Sequence, residues 1–406
     1  MRGGAAVLAP RRAGFLTGLL FGVRPGGLAQ ELLVPALQGL LRVNARRAGK
    51  ADGLEQQASH RLLGIRAACG SRDAMNWLSG HVTRPYKLFW GGVWAHVRFS
   101  VAEVLWTALV LACILYVAFA VCAVVQRRGA RAVTAVQRVL GAAAIALWVY
   151  LGYTLLWGTE FYVTSVEEKM GVSAEPVSVQ QLTDVTRLFS EKASELSAYV
   201  ERDEDGCFTG DKSALLEQSK DVYTALEEEY PFLEAPHRAP KPMAYSRLMS
   251  EMQYTGFFFP FTGEANVNVH MPVCFLPVTA AHELSHVRGV APEQTANFLA
   301  ILACDTGGIP EFEYSGALFG YLHLSNALYT ADPEAWAEIW AALSDGARAD
   351  LAQNNAYWDQ FSSPVTTVAN TAYDGFLKSY GQEQGMKSYG DVVDLLVAWY
   401  KDEASQ

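Results

Sequence analysis

Cysteine is scarce in this 406-residue sequence: six residues, scattered, with no CxxC pair among them. That excludes a disulfide scaffold and a CxxC-type metal or redox site. One disulfide among Cys207, Cys274 and Cys304 stays open, and spacing does not choose it. Charge is also sparse, at 18% of residues against 51% hydrophobic, which lies on the apolar side of a soluble composition. A basic face is missing where nucleic acid would require one: residues 164–406 hold 14 basic against 36 acidic residues, net -22. Without a means of neutralising phosphates, nucleic-acid binding is not expected. A shortage of aromatic residues, the mark of disorder, does not apply at 12%.

Residues 1–163 have the opposite sign, 18 basic against 6 acidic, net +12. Two stretches in this part lack charge altogether, 23 residues at Val104–Gln126 and 21 at Val139–Thr159. About 20 apolar residues in a helix cross the roughly 30 Å of a bilayer core, so a helical hairpin with spans at 104–126 and 139–159 is predicted within a membrane segment 73–163. Its loop carries Arg127, Arg128, Arg131 and Arg138 and no acid. The positive-inside rule places that loop in the cytoplasm and residues 164–406 on the other side. Trp148, Tyr150, Tyr153 and Trp157 crowd the far end of the second stretch, as aromatics do at a membrane–water interface. Residues 1–72 read as a leader, weakly structured or with one weak membrane helix. Its apolar stretch Ala13–Val23 is only 11 residues long, nearer a signal-peptide core than a span, and Met75 is an alternative start.

Beyond about Ser165 the pattern becomes helical and amphipathic, with Leu182, Val185, Phe189, Ala193, Leu196 and Val200 at three- and four-residue spacing. The chemistry concentrates in His282-Glu283-Leu284-Ser285-His286. On a helix, positions i and i+4 share a face, so two imidazoles reach one metal ion while the Glu between them handles a water proton. Composition alone gives about 0.01 chance occurrences of this pattern in such a chain.

Pro277 to Ala281 could open the motif helix, Gly289 offers its stop, and a second helix is expected from about Pro292 to Cys304. Glu293, in the first turn of that helix, is the candidate third ligand, with the fourth tetrahedral position left for water. A Glu favoured there by the helix dipole alone is the other reading. Asn297, one turn on, is placed to orient a ligand. The third-His pattern HExxHxxGxxH does not continue, because Pro292 occupies that position. Upstream, Ala265–Val269 alternates as a short strand, the kind of element that can hold an extended peptide by strand addition. Glu264 could hydrogen-bond a ligating His or cap the turn. His270 and His323 are alternative ligands.

Phe99–Glu103, Leu156–Gly158, Pro260–Ala265, the HExxH helix, Ala296–Leu299 and Tyr314–Gly316 together resemble an uncharacterised family of bacterial membrane proteins catalogued as domain of unknown function 3810. Leu377-Lys378, Gln382, Gly385, Ser388–Gly390 and Val392–Leu396 continue the likeness, which covers about Asn76 to Tyr400. The resemblance implies a multi-pass protein of the bacterial cell membrane related to zinc peptidases. It puts forward Tyr314 and Tyr389 as donors to an oxyanion. Thr295 stands where the family pattern has a second acid, and residues 1–72 supply only a weak version of the family's extra N-terminal helix.

The expected architecture is therefore a membrane hairpin carrying a mostly α (α+β) zincin-like domain, with an HExxH helix and a short edge strand or small sheet. The expected function is a membrane-anchored zinc metalloprotease acting on an extracytoplasmic protein or peptide. It would hold one Zn2+ ion on His282, His286 and Glu293, with Glu283 as general base. Two alternatives stay open: a non-catalytic zincin-fold sensor or scaffold, and an amidase acting on a cell-envelope component.

Overall fold

Helices dominate the computed structural model, which describes residues 51–172, 177–361 and 389–405. The rest of the leader, including Ala13–Val23, lies outside the described residues, whereas Ala51–Ala68 forms a helix packed along the second apolar helix. The hairpin consists of Val101–Gln126 and Arg131–Leu156, both long and apolar enough to cross a membrane. The second helix starts well before the uncharged stretch does. Its first turns are held by the first helix: the Tyr116 hydroxyl donates to the Arg138 carbonyl at 2.6 Å, and the Arg138 guanidinium sits over the Phe119 ring at 4.6 Å. It ends at Leu156, with Trp157 as its cap.

The start of the first apolar helix is fastened to the rest of the chain by two carboxylates. Ser100 caps it, its hydroxyl accepting from the Glu103 N–H and donating to Asn266 Oδ1. Glu264 accepts from the N–H groups of Val101 and Ala102 at 3.2 and 2.9 Å and pairs with Lys241. A carboxylate at a helix N-terminus satisfies orphan donors and meets the positive end of the dipole. Glu264 therefore does not bond a ligating histidine: its oxygens are occupied by a helix start far away in sequence. In return Glu103, buried, accepts from the N–H groups of Ala244 and Tyr245 at 2.9 and 2.7 Å.

Those contacts seat the helix on a three-stranded mixed sheet, order β1-β3-β2, of Lys241–Pro242 (β1), Gly256–Phe259 (β2) and Glu264–Val267 (β3). β3 pairs parallel with β1 and antiparallel with β2. The strand read from the alternation at Ala265 is thus the central one, bonded on both sides and closed to strand addition; β2 is an edge. Strand alternation gives the sheet two different faces. Phe259, Glu264 and Asn266 face the first apolar helix, Phe259 packing on Trp106 with ring centroids 6.0 Å apart. Gly256 and Phe258 face the motif helix and Trp157.

The motif helix, Leu276–Val287, is buried on every side, as is the following helix Glu293–Thr306 from Gln294 to Cys304. A helix apolar all round belongs inside a core, and these two pack on each other and on the long helix Pro310–Ala331. That long helix packs in turn on Val179–Leu196, the amphipathic helix of the sequence pattern, which opens on a Ser178–Gln181 capping box. Cys207, Cys274 and Cys304 are buried free thiols, so none of them forms the disulfide the sequence left open.

A continuous helical run at 72–94 contains a π-helical turn, Ser79–Thr83. It delivers Ser79, Thr83 and Lys87 to Glu160, whose carboxylate accepts from them at 2.7, 2.6 and 2.7 Å. Both charges are buried. Burial pushes the Glu160 carboxyl up, but Lys87 and the two hydroxyls outweigh it and hold the group below its ordinary value.

Candidate metal centre

The motif helix ends where the sequence predicts. Gly289, at φ +90°, takes the left-handed conformation that lets the chain turn back, and the next helix starts at Glu293 with Pro292 as its cap. That reversal brings Glu293 beside the two histidines. Ligand atoms of His282, His286 and Glu293 all lie within 4.8 Å of one another, a group that could hold a metal ion. Glu293 Oε2 is 3.1 Å from His282 Nε2 and 3.7 Å from His286 Nε2. Bonds of about 2.0–2.2 Å to a tetrahedral ion put donors roughly 3.3–3.6 Å apart, so these spacings need only small adjustment.

Each imidazole is turned the right way by its other nitrogen. His282 Nδ1 is 2.8 Å from Asn297 Oδ1, and His286 Nδ1 is 2.6 Å from the Val290 carbonyl. Both partners are acceptors, so each Nδ1 can donate a proton there, which leaves each Nε2 as the ring atom that faces Glu293 and would face a metal ion. Asn297 thus occupies the orienting position expected of it. Asn297→Ala should weaken divalent-metal affinity about 10–100-fold, read by titration against a chelator of known strength.

Glu283 lies beside the cluster, buried, and its Oε2 has no hydrogen-bond partner among the described residues. Burial pushes its carboxyl up to about 8. Burial also opposes charge on His286, but Glu293 outweighs it and raises that imidazole to about 9. His282 is lowered by burial. On Glu293 the two histidines overcome burial and keep the carboxylate ionised. The set consists of one held anion, two oriented imidazoles and a second carboxylate with an uncommitted oxygen.

Other candidates are placed elsewhere. Tyr314 is buried and its hydroxyl donates to Asp350, which also accepts from Arg202 and the Phe208 N–H; this donor is spent on a core network and does not serve an oxyanion. Tyr389 opens the helix Tyr389–Tyr400, and the role read for its side chain lies outside the described residues. His270 is engaged by the Tyr357 hydroxyl at 2.7 Å. His323 packs edge-on against Phe319, with ring centroids 4.6 Å apart, and burial pushes its imidazole down to about 4. Neither belongs to the cluster.

Three neighbours of the centre were not legible as such. A Cβ on Gly256 would fall 2.4 Å from Glu283 Oε1, so the β2 backbone lies directly on that carboxylate. The Trp157 ring meets His286 edge-to-face at 5.2 Å. Glu167, from a distant segment, accepts from the hydroxyl of Thr295, two residues beyond Glu293. A glycine opening an aromatic strand and a tryptophan closing an apolar stretch were the only signals, and each has a commoner explanation.

A family model described as protein of unknown function (DUF3810) matches residues 85–397. The chain belongs to that family. Comparison with curated proteins and with solved structures brings no match. As a DUF3810 member the chain keeps within the matched region both apolar helices, the sheet and every residue of the candidate centre.

Proposed function

We propose that this chain is a membrane-anchored, zincin-like metallopeptidase that holds one zinc ion on His282, His286 and Glu293 and hydrolyses an extracytoplasmic protein or peptide. The observation that carries the reading is the convergence of two Nδ1-anchored imidazoles and Glu293 beside the Glu283 carboxylate, whose Oε2 has no hydrogen-bond partner among the described residues. A zinc ion held by His282, His286 and Glu293 would lower the pKa of a water toward about 7 and polarise a substrate carbonyl. Glu283 takes the water proton; the water oxygen joins the carbonyl carbon, the C–N bond breaks, and Glu283 returns the proton to the leaving amine. β2, the sheet edge lying on Glu283, is the element that would pair with an extended substrate. A buried carboxylate oxygen without a hydrogen-bond partner costs stability, a cost that a catalytic role accounts for and a sensor or scaffold role does not.

Membrane anchoring is supported by exposure. None of the most apolar stretch of Val101–Gln126 is buried, and Val110, Leu111, Ile114, Leu115, Val117 and Phe119 all point outward. A core helix of a soluble protein would be covered, whereas an uncovered apolar helix suits lipid. The arginines around the hairpin turn favour a cytoplasmic turn and an extracytoplasmic centre.

The purified full chain should contain zinc at one ion per molecule by elemental analysis. At a free concentration about 100 times Kd, zinc should stabilise the fold by roughly 2.7 kcal/mol over the chelated protein. A chain without stoichiometric metal ends this proposal. Gly256→Ala should keep the zinc yet lose about 100-fold in hydrolysis, because the new methyl displaces the Glu283 carboxylate.

A further inference from the structure

The strand beside Glu283 also leads into the gap between the two apolar helices. At its Gly256 end, β2 touches the Glu283 carboxylate. At its other end, Phe259 packs on Trp106 of the first apolar helix, and Phe261 lies 5.4 Å from Phe259 with its ring against the backbone of Gly152 in the second. Trp106 and Gly152 sit within two turns of the ends of their helices, roughly 6–8 Å along the axis. Gly256 to Phe259 is three strand rises, about 10 Å. From the other side Trp157, the first residue beyond the second apolar helix, touches the ring of His286. The centre is therefore fixed to the ends of both helices.

Resting on the reading of this site as a hydrolase and of the hairpin as membrane-spanning, we infer that the substrate is a polypeptide segment directly joined to a membrane anchor, cut within about four residues of the bilayer surface. The headgroup layer is only about 5–8 Å deep on each side of the hydrocarbon, so a centre no more than about 10 Å along β2 from Phe259, which itself packs inside the helix end, lies within or at the edge of that layer. A folded soluble protein cannot bring a loop so low without driving its own surface into headgroups. A chain rising from its own anchor passes this level necessarily. At about 3.3–3.6 Å per residue, three or four extended residues cover the distance. Laid along β2, such a segment would emerge near Phe259 and Phe261 and reach Glu283 at Gly256.

The test uses the full zinc-loaded chain in phosphatidylglycerol-containing vesicles and one unstructured probe of mixed sequence, roughly 20 residues long, in three forms. The first carries two acyl chains at one end, since a single chain holds only marginally. The second has the same anchor separated from the probe by a spacer of about 15 D-residues, and the third is free in solution. The directly anchored form should be cut within about four residues of its anchor by mass spectrometry, and at least about tenfold faster than the spaced form. Equal rates for the direct and spaced forms would overturn the inference while leaving the hydrolase reading intact. No cleavage of any form by zinc-loaded protein would sink the hydrolase reading and this inference with it. Metal-free protein gives an independent readout: p-benzoylphenylalanine in place of Phe261 should photolabel lipid acyl chains, and labelling only of water-borne peptide would overturn the placement.

Discussion

Glu283→Gln should leave zinc at one ion per chain and lower hydrolysis about 1,000-fold or more, within the 10²–10⁴ range typical of a positioned general base. The substitution keeps the shape of the side chain, so Gly256 still fits against it. It removes the only buried carboxylate of the centre that is not committed to a histidine. Stability separates this from structural damage. Burial disfavours the charged carboxylate, so the neutral amide should melt at the same temperature as wild type or higher. A variant that melts lower and loses zinc would mean that Glu283 is structural; one that keeps full activity would remove Glu283 from the mechanism.

The centre was legible in the sequence because its geometry is local. His282, Glu283 and His286 are set by helical periodicity, and Glu293 follows from a glycine stop and a proline start four to one residues before it. The apolar helices were legible because lipid-length stretches without charge have few other uses. The unread parts are those where a side chain's partner lies far along the chain. Glu264 looked like a neighbour of the motif and proved to cap the first apolar helix, more than 160 residues earlier. Tyr314 was put forward by resemblance and is bonded to Asp350 on another helix. Alternation marked Ala265–Val269 as a strand, yet only pairing partners show that β3 is central and β2 the edge. The start of the second apolar helix was missed because charge marks where lipid ends, not where a helix does: Arg131 and Arg138 are good helix formers that extend it beyond the apolar stretch.

Lys87→Met should cost about 3–5 kcal/mol, the usual consequence of stranding one member of a buried ion pair. The pair is 1% and 0% exposed by side chain, so solvent does little to screen the loss. With the ammonium gone, the side-chain hydrogen bonds left to Glu160 among the described residues are those of Ser79 and Thr83, set against the penalty of its burial. The double variant Lys87→Met/Glu160→Gln removes both charges and should recover most of the stability, which a double-mutant cycle would show as strong coupling. The sign with pH follows from the depressed Glu160 carboxyl. Its stabilisation is complete above the ordinary Glu range and disappears as pH falls through the folded value. Thermal melts in detergent should therefore show wild type and the double variant converging in acid, while Lys87→Met is weakest near neutrality. The consequence extends to the metal, because the Lys87 ammonium also lies 5.6 Å over the Trp157 ring that packs on His286. If Lys87→Met lowers zinc affinity as well as stability, the buried pair supports the centre through Trp157; a stability loss with unchanged zinc affinity would confine its role to joining the 72–94 helical run to the end of the second apolar helix.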